Sequence, residues 1–129
     1  MTYAIRKLVR RDVPAIAETF ASWNKNREQY ERYLDENLRG ERITLVAVVG
    51  ERLVGYVNVL WESDYEPFRR GGIPEINDLN VINDHQGQGI GTALIHAAES
   101  IIAEAGVTLL GSVLAKRQIT LQLSVFILD

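Results

Sequence analysis

Residues Gln86-Gly87-Gln88-Gly89-Ile90-Gly91 lie between a strand-like run and a long amphipathic segment. Glycine fills alternate positions of this stretch, so no Cβ atom shields the backbone there. A phosphate oxygen can then approach several N–H groups at once. The helix that follows turns its positive end toward the same spot. The segment reads as an anion cradle, and a diphosphate is the guest it suits.

Other readings of a glycine cluster were weighed against this one. A dinucleotide fingerprint of the form G-x-G-x-x-G wants a glycine where Thr92 stands. It also wants the first strand of a βαβ unit, whereas three strand-like segments precede the one that enters this loop. A Walker loop needs G-K-[ST], which is missing. A bare turn with no ligand is the remaining alternative, and the flanking sequence argues against it.

Outward from the loop, the periodicities are clear. Upstream, 76–82 reads as a strand, and 62–74 is a charged stretch with Gly71-Gly72 that reads as a loop. Residues 43–49 and 53–61 form a hairpin around Gly50-Glu51. Residues 27–38 read as a helix with Tyr30, Tyr33, Leu34 and Leu38 as its apolar stripe and Gly40 as its stop. An earlier helix, capped by Asp12 with Pro14 in its first turn, carries Val13, Ile16, Ala17, Phe20 and Trp23 on one face. Residues 3–9 open the chain as a strand. Downstream, Ile90, Leu94, Ala97, Ala98, Ile101, Ile102 and Ala105 recur at helical spacing, Gly106 ends that helix, and Val107 begins another strand.

The bulk numbers fit one soluble domain over residues 1–129: 47% apolar and 24% charged residues. A net charge of −3 leaves no nucleic-acid footprint. The chain has no cysteine, which excludes disulfides, zinc–thiolate sites and cysteine nucleophiles and fits a reducing compartment. The start of the chain has no apolar leader segment, and no run approaches the ~18 apolar residues of a membrane span. A cytoplasmic protein with no membrane partner is expected. His85 reads as solvated and His96 as a surface or rim residue, so no metal site is expected.

Taken together, Glu75-Ile76-Asn77-Asp78-Leu79-Asn80-Val81, a short polar turn, Gln86-x-x-Gly89-x-Gly91 and an Ala-rich helix resemble the GNAT superfamily of N-acetyltransferases. The superfamily signature is [Q/R]-x-x-G-x-[G/A] after the fourth strand. The element order also matches: strand, two helices, hairpin, strand, glycine loop, helix, strand. The resemblance covers residues 1–108.

It implies an α/β GNAT-like (acyl-CoA N-acyltransferase) three-layer fold: a mixed, mostly antiparallel twisted sheet with helices on both faces. It implies acetyl-CoA as cosubstrate, with no metal. Backbone amides of Gln86, Gly87, Gln88, Gly89, Ile90 and Gly91 would hold the pyrophosphate, with a side-chain bond from Gln88 or Thr92. Leu79, Val81 and Ile82 would lie along the pantetheine and offer backbone pairs like those of an added strand. A β-bulge within 79–81 would free an N–H to polarise the thioester carbonyl. Glu75, eleven residues before Gln86, is placed like the general-base glutamate of some members, and Asp78 is the second candidate. Strict alternation would put Glu75 and Asp78 on opposite faces.

The acceptor implied is a small-molecule or peptide amine. Acidic Glu62, Asp64 and Glu66 hint at a cationic one. Trp61, Tyr65 and Phe68 either line its pocket or pack beneath the loop, and Arg69-Arg70 reads as a solvated pair. Members are often dimers, so a homodimer is a further expectation.

The tail, 109–129, departs from the family. It lacks the tyrosine that often protonates the leaving thiolate, and 119–127 alternates like a strand where a helix is expected, so the last strands are incomplete or replaced. As a hypothesis, a one-step frame shift near residues 109–110 accounts for the break. Codon degeneracy in the shifted frame permits a family-like strand and a tyrosine-containing helix. The DNA sequence decides it: without codons for that tyrosine stretch the idea fails. If the tail is native, the alternative function is a catalytically impaired acyl-CoA-binding or interaction module. An acyl group other than acetyl is a third reading.

Overall fold

The computed structural model describes residues 2–23 and 26–105. Strand β1 (Ala4–Lys7) leads through helix α1 (Asp12–Thr19) and a 3₁₀ turn (Ala21–Trp23) to helix α2 (Arg27–Leu38). Strands β2 (Arg42–Val49) and β3 (Arg52–Leu60) form the expected hairpin. A short helix α3 (Glu66–Arg70), strand β4 (Glu75–Val81), a 3₁₀ turn (Asn83–His85) and helix α4 (Ile90–Glu104) follow. The strands lie in the order β1-β2-β3-β4, all described pairs antiparallel. No helix among the described residues is long and apolar enough to cross a membrane. The side chain of Trp23, the end of the last helix at Gly106 and everything predicted for 107–129 lie outside the described residues.

Strand β3 is central, and its residues from Leu53 to Leu60 are buried. Successive side chains of a strand point to opposite faces. Tyr56 meets the rings of Phe20, which follows α1, and Tyr30 of α2. Its neighbour Gly55 faces the other way, where an added Cβ would stand 3.4 Å from Leu94 of α4. The helices therefore cover both faces, in three layers. Gly55 is needed for this approach: the same Cβ would meet the Asn80 carbonyl oxygen at 3.0 Å. Helix α4 buries Ile90, Leu94, Ala98 and Ile102 along one stripe. Full burial of one such aliphatic side chain is worth about 1.5–3 kcal/mol.

Helix α2 is fixed at both ends. The Asn26 side chain accepts the Gln29 amide at 2.9 Å. At the other end Glu41 N–H reaches the Glu36 carbonyl at 2.9 Å and Gly40 N–H the Asn37 carbonyl at 3.1 Å, a Schellman closure with Gly40 at φ +77°. These caps set the rotation that turns Tyr30, Tyr33 and Leu34 into the core.

Local expectations needed correction at three places. Leu38 is 68% exposed, because the stripe runs past the sheet at the last helical residue. Asp12 does not cap α1. It binds Arg6 with both oxygens, at 2.7 and 2.8 Å, and accepts the Val9 amide at 2.9 Å. The stretch 62–74 is not all loop: α3 forms there with Pro67 in its first turn and Glu66 paired with Arg70 one turn on.

Candidate functional site

The glycine loop is anchored from behind. The Gln86 side chain donates to the Val81 carbonyl at 2.8 Å and to Asn83 Oδ1 at 3.2 Å, tying the loop to the end of β4. The Gln86 amide is already engaged by the Asn83 carbonyl at 3.2 Å, so the open amides begin at Gly87. Among the described residues no backbone carbonyl accepts from Gly87, Gln88 or Gly89. The first N–H groups of α4 add to them, since a helix start leaves these without intrahelical partners. Gly89 is the N-cap of α4 at φ +84°, with nothing within 4 Å of where a Cβ would stand. Gly91 differs: its φ is not positive, and a methyl there would rest at 3.8 and 3.9 Å on Val81 and Leu79. That difference accounts for glycine alone at one place of the signature and glycine or alanine at the other. Gln88 and Thr92 are exposed at the same mouth, while the Ile90 side chain belongs to the core.

Leu79, Val81 and Ile82 are also core side chains, 5–8% exposed. What they can offer a ligand is backbone, along the edge of β4 away from β3. His85, expected in solvent, has a side chain only 15% exposed, and its Nδ1 is buried without a hydrogen-bond partner among the described residues.

The second feature of β4 is a bulge. Asn77 pairs with Asn58 and Asn80 with Tyr56, so Asp78 and Leu79 together face Val57 alone. Asp78 has φ +54°, the one non-glycine residue with positive φ among the described residues. Such a conformation costs about 1–3 kcal/mol and persists only where neighbours over-determine it. The bulge therefore begins one residue before the 79–81 expected and overlaps that range at Leu79. It also breaks the alternation of the strand: Glu75 and Asp78, expected on opposite faces, both project to the α2 side. Glu75 stands across from Leu60, on the same face of β3 as Tyr56. Asp78 reaches α2 directly.

Three donors converge on Asp78 Oδ2: Tyr33 Oη at 2.6 Å, Tyr56 Oη at 3.1 Å and Gln29 Nε2 at 3.3 Å. Asn80 Nδ2 donates to Oδ1 at 2.9 Å. Tyr30 and Tyr56 share a hydroxyl contact of 3.3 Å. Burial pushes Tyr30 up to about 12, against the bond to Tyr56. Burial first and the Asp78 charge second raise Tyr33 and Tyr56 further. All three stay protonated, as donors, well past neutral pH.

Glu75 is 6% exposed, and its carboxylate accepts from Ser63 Oγ and, at 2.6 Å, from Asn77 Nδ2. Ser63 also lines a cavity of about 480 Å³ with Arg42, Trp61, Glu62, Asp64 and Arg69 among its walls. Arg42 lies 4.3 Å over the Tyr33 ring. The cavity thus adjoins Ser63, a partner of Glu75, and Arg42, which packs on the Asp78 partner Tyr33. Of the loop aromatics, Trp61 lines it, Phe68 packs beneath the loop at 5% exposure, and Tyr65 lies against Phe68, half exposed.

Gln29, Tyr33 and Tyr56 were not foreseen as site residues. One signal was present: tyrosine rather than leucine at stripe positions, where a buried hydroxyl must find an acceptor.

The model of the acetyltransferase (GNAT) family matches residues 3–118, past the point near 108 where the motif resemblance stops. No curated protein matches. Among solved structures, an acetyltransferase of Trypanosoma brucei superposes with a TM-score of 0.64 at 22% identity, over 81% of this chain and 78% of the other. The PaiA N-acetyltransferase of Thermoplasma acidophilum, in complex with coenzyme A, gives 0.63 at 23% identity, over 82% and 75%. A ribosomal-protein-alanine N-acetyltransferase of Brucella melitensis gives 0.62 at 26% identity, over 80% and 73%. A match that runs through every described element and on to residue 118 leaves one assignment: the chain belongs to the acetyltransferase (GNAT) family.

Proposed function

We propose that this chain transfers the acetyl group of acetyl-CoA to a primary amine by direct attack. The observation that carries the reading is a bulged strand, outermost among the described residues, running into an amide-lined glycine loop. The amides of 87–91 would take the diphosphate, as Gly89 and the start of α4 allow. The outer edge of β4 would pair with the pantetheine, and the bulge would present an N–H to the thioester oxygen as charge develops there. The amine nitrogen forms its bond to the carbonyl carbon. The tetrahedral intermediate then collapses, the C–S bond breaks, and the thiolate of CoA leaves with the electron pair.

The amine must lose a proton in this sequence. Asp78 is the more accessible acceptor, because it is half-buried within the bulge whereas Glu75 is buried, although Asp78 accepts from Tyr33, Tyr56, Gln29 and Asn80 and Glu75 from Ser63 and Asn77. The acceptor would enter through the cavity at Trp61, Glu62 and Asp64, whose two carboxylates, in no ion pair among the described residues, favour a cationic molecule. A cytoplasmic site of action fits a chain without cysteine.

One observation favours a second reading, an acyl-CoA-binding module with little turnover: both candidate carboxylates already accept several hydrogen bonds. The experiment that separates the two is acetyl-CoA binding measured beside release of free CoA thiol with a panel of amines (polyamines, aminoglycosides, amino acids and peptides). Amine-dependent thiol release supports transfer. Binding without release from any amine supports the module. No binding contradicts both.

A further inference from the structure

We propose that Tyr33 is a positioning residue for the acetyl transfer, acting through Asp78; the inference rests on the transfer reading above. Left-handed backbone is uphill for aspartate, so something must hold Asp78 at φ +54°. The Tyr33 hydroxyl makes the shortest bond to its carboxylate, 2.6 Å, from 45 positions away in sequence. Tyr33 is itself immobilised. It is 6% exposed, Gln29 Nε2 donates to its hydroxyl at 2.9 Å, and the Tyr30 ring meets it edge-on at 5.9 Å. The Arg42 guanidinium covers its other side at 4.3 Å and is fixed by Glu36 at 2.7 Å. Helix α2 and strand β2 thus form a column that brings a hydroxyl onto one carboxylate oxygen.

The bulge is the element this column controls. While Asp78 is held, Asp78 and Leu79 share one partner position, the arrangement by which a bulge can turn a ladder N–H toward a carbonyl. Without the Tyr33 bond the carboxylate keeps Tyr56, Gln29 and Asn80 but loses its 2.6 Å tie, so the left-handed conformation is held less firmly and the ladder beside it opens more readily. The plainer account is that Tyr33 is a core residue whose hydroxyl needed an acceptor. That account predicts a general loss of stability, not a change localised at the bulge. The two differ in a double-mutant comparison, because glycine adopts positive φ without help.

The test uses the full chain as wild type, Tyr33→Phe, Asp78→Gly and the double variant. Two readouts are followed: the carbonyl stretch of bound [1-¹³C]acetyl-CoA, and amide hydrogen exchange at Leu79 and Asn80 without ligand. In the wild type the stretch should lie below its value in water. Tyr33→Phe should move it back toward water and speed exchange at these two amides by about tenfold or more. CoA, which has no acetyl carbonyl, should bind Tyr33→Phe as it binds the wild type. In the Asp78→Gly background the Tyr33 change should move neither readout. Exchange that rises evenly over the whole sheet, or the same Tyr33 effect in both backgrounds, overturns the proposal. A wild type that does not bind acetyl-CoA overturns the transfer reading and Tyr33's part in it, while exchange still decides whether Tyr33 holds the bulge.

Discussion

At the glycine loop every determinant is local: Gln86 bonds to Val81 and Asn83, Gly89 caps the helix that follows, and Gly91 rests on Leu79 and Val81. At the bulge, a few residues upstream on the same strand, only Asn80 holds Asp78 locally, and the three donors on its Oδ2 come from 22, 45 and 49 positions away. The loop is therefore a property of a short segment and can be recognised in any chain that carries it. The bulge is a property of the packed domain, made by α2 meeting β3 and β4. The first should fail by local strain, the second by loss of tertiary hydrogen bonds.

The largest expected effect breaks the bulge. Asp78→Val puts a β-branched residue in a left-handed conformation and strips an acceptor from the Tyr33 and Tyr56 hydroxyls. The two penalties together should cost on the order of 3–5 kcal/mol in chemical denaturation. Gly89→Val, by contrast, places a side chain in open space at φ +84°. It should cost about 1–3 kcal/mol of stability and weaken acetyl-CoA by roughly 30-fold or more in calorimetric titration. If Gly89→Val destabilised the fold as much as Asp78→Val, the contrast between local and tertiary construction would be lost.

Tyrosine ionisation sharpens the comparison. The folded-state values of Tyr30, Tyr33 and Tyr56 are raised, with Tyr30 at about 12. A raised value means that the stabilisation is complete below the unfolded tyrosine value near 10 and is lost as pH rises through the folded values. Denaturation midpoints should therefore hold from neutral pH to about 10 and fall above it, and Tyr33→Phe should fall less steeply. A midpoint of Tyr33→Phe that falls as steeply as the wild type would contradict the shielded site. At the small end, Gly91→Ala and Leu38→Gln should each stay within about 0.5 kcal/mol of the wild type, one meeting ordinary contacts and the other solvent.

Much of the fold was legible because its signals are periodic or local. Alternation and the Gly50-Glu51 turn place the β2–β3 hairpin, helical spacing places α4 from Ile90 onward, and Gly40 ends α2 as expected. The elements in 62–74 and at Leu38 failed for want of length: α3 has five residues, and Leu38 follows the stripe beyond the sheet it would pack on. The glycine loop was legible as the turn that leads into α4 with Gly89 at its cap, although the Gln86 amide is engaged by Asn83, and its part as a cradle stands as proposed. The bulge was not. Nothing local distinguishes Asp78 from an ordinary strand aspartate, and an inserted residue cannot be counted without knowing the register of the partner strand. Tyr33 was read as a stripe residue because its ring does pack in the core. Only its hydroxyl, 2.6 Å from a carboxylate far along the chain, carries the second role.

The most direct test of the central claim is calorimetric titration of acetyl-CoA into the wild-type chain, Gly89→Val and Gly91→Ala. The account predicts micromolar binding by the wild type, kept in Gly91→Ala and lost in Gly89→Val, with all three proteins folded. Absence of binding by the wild type, or equal binding by Gly89→Val, would contradict the claim that the glycine loop is the diphosphate cradle.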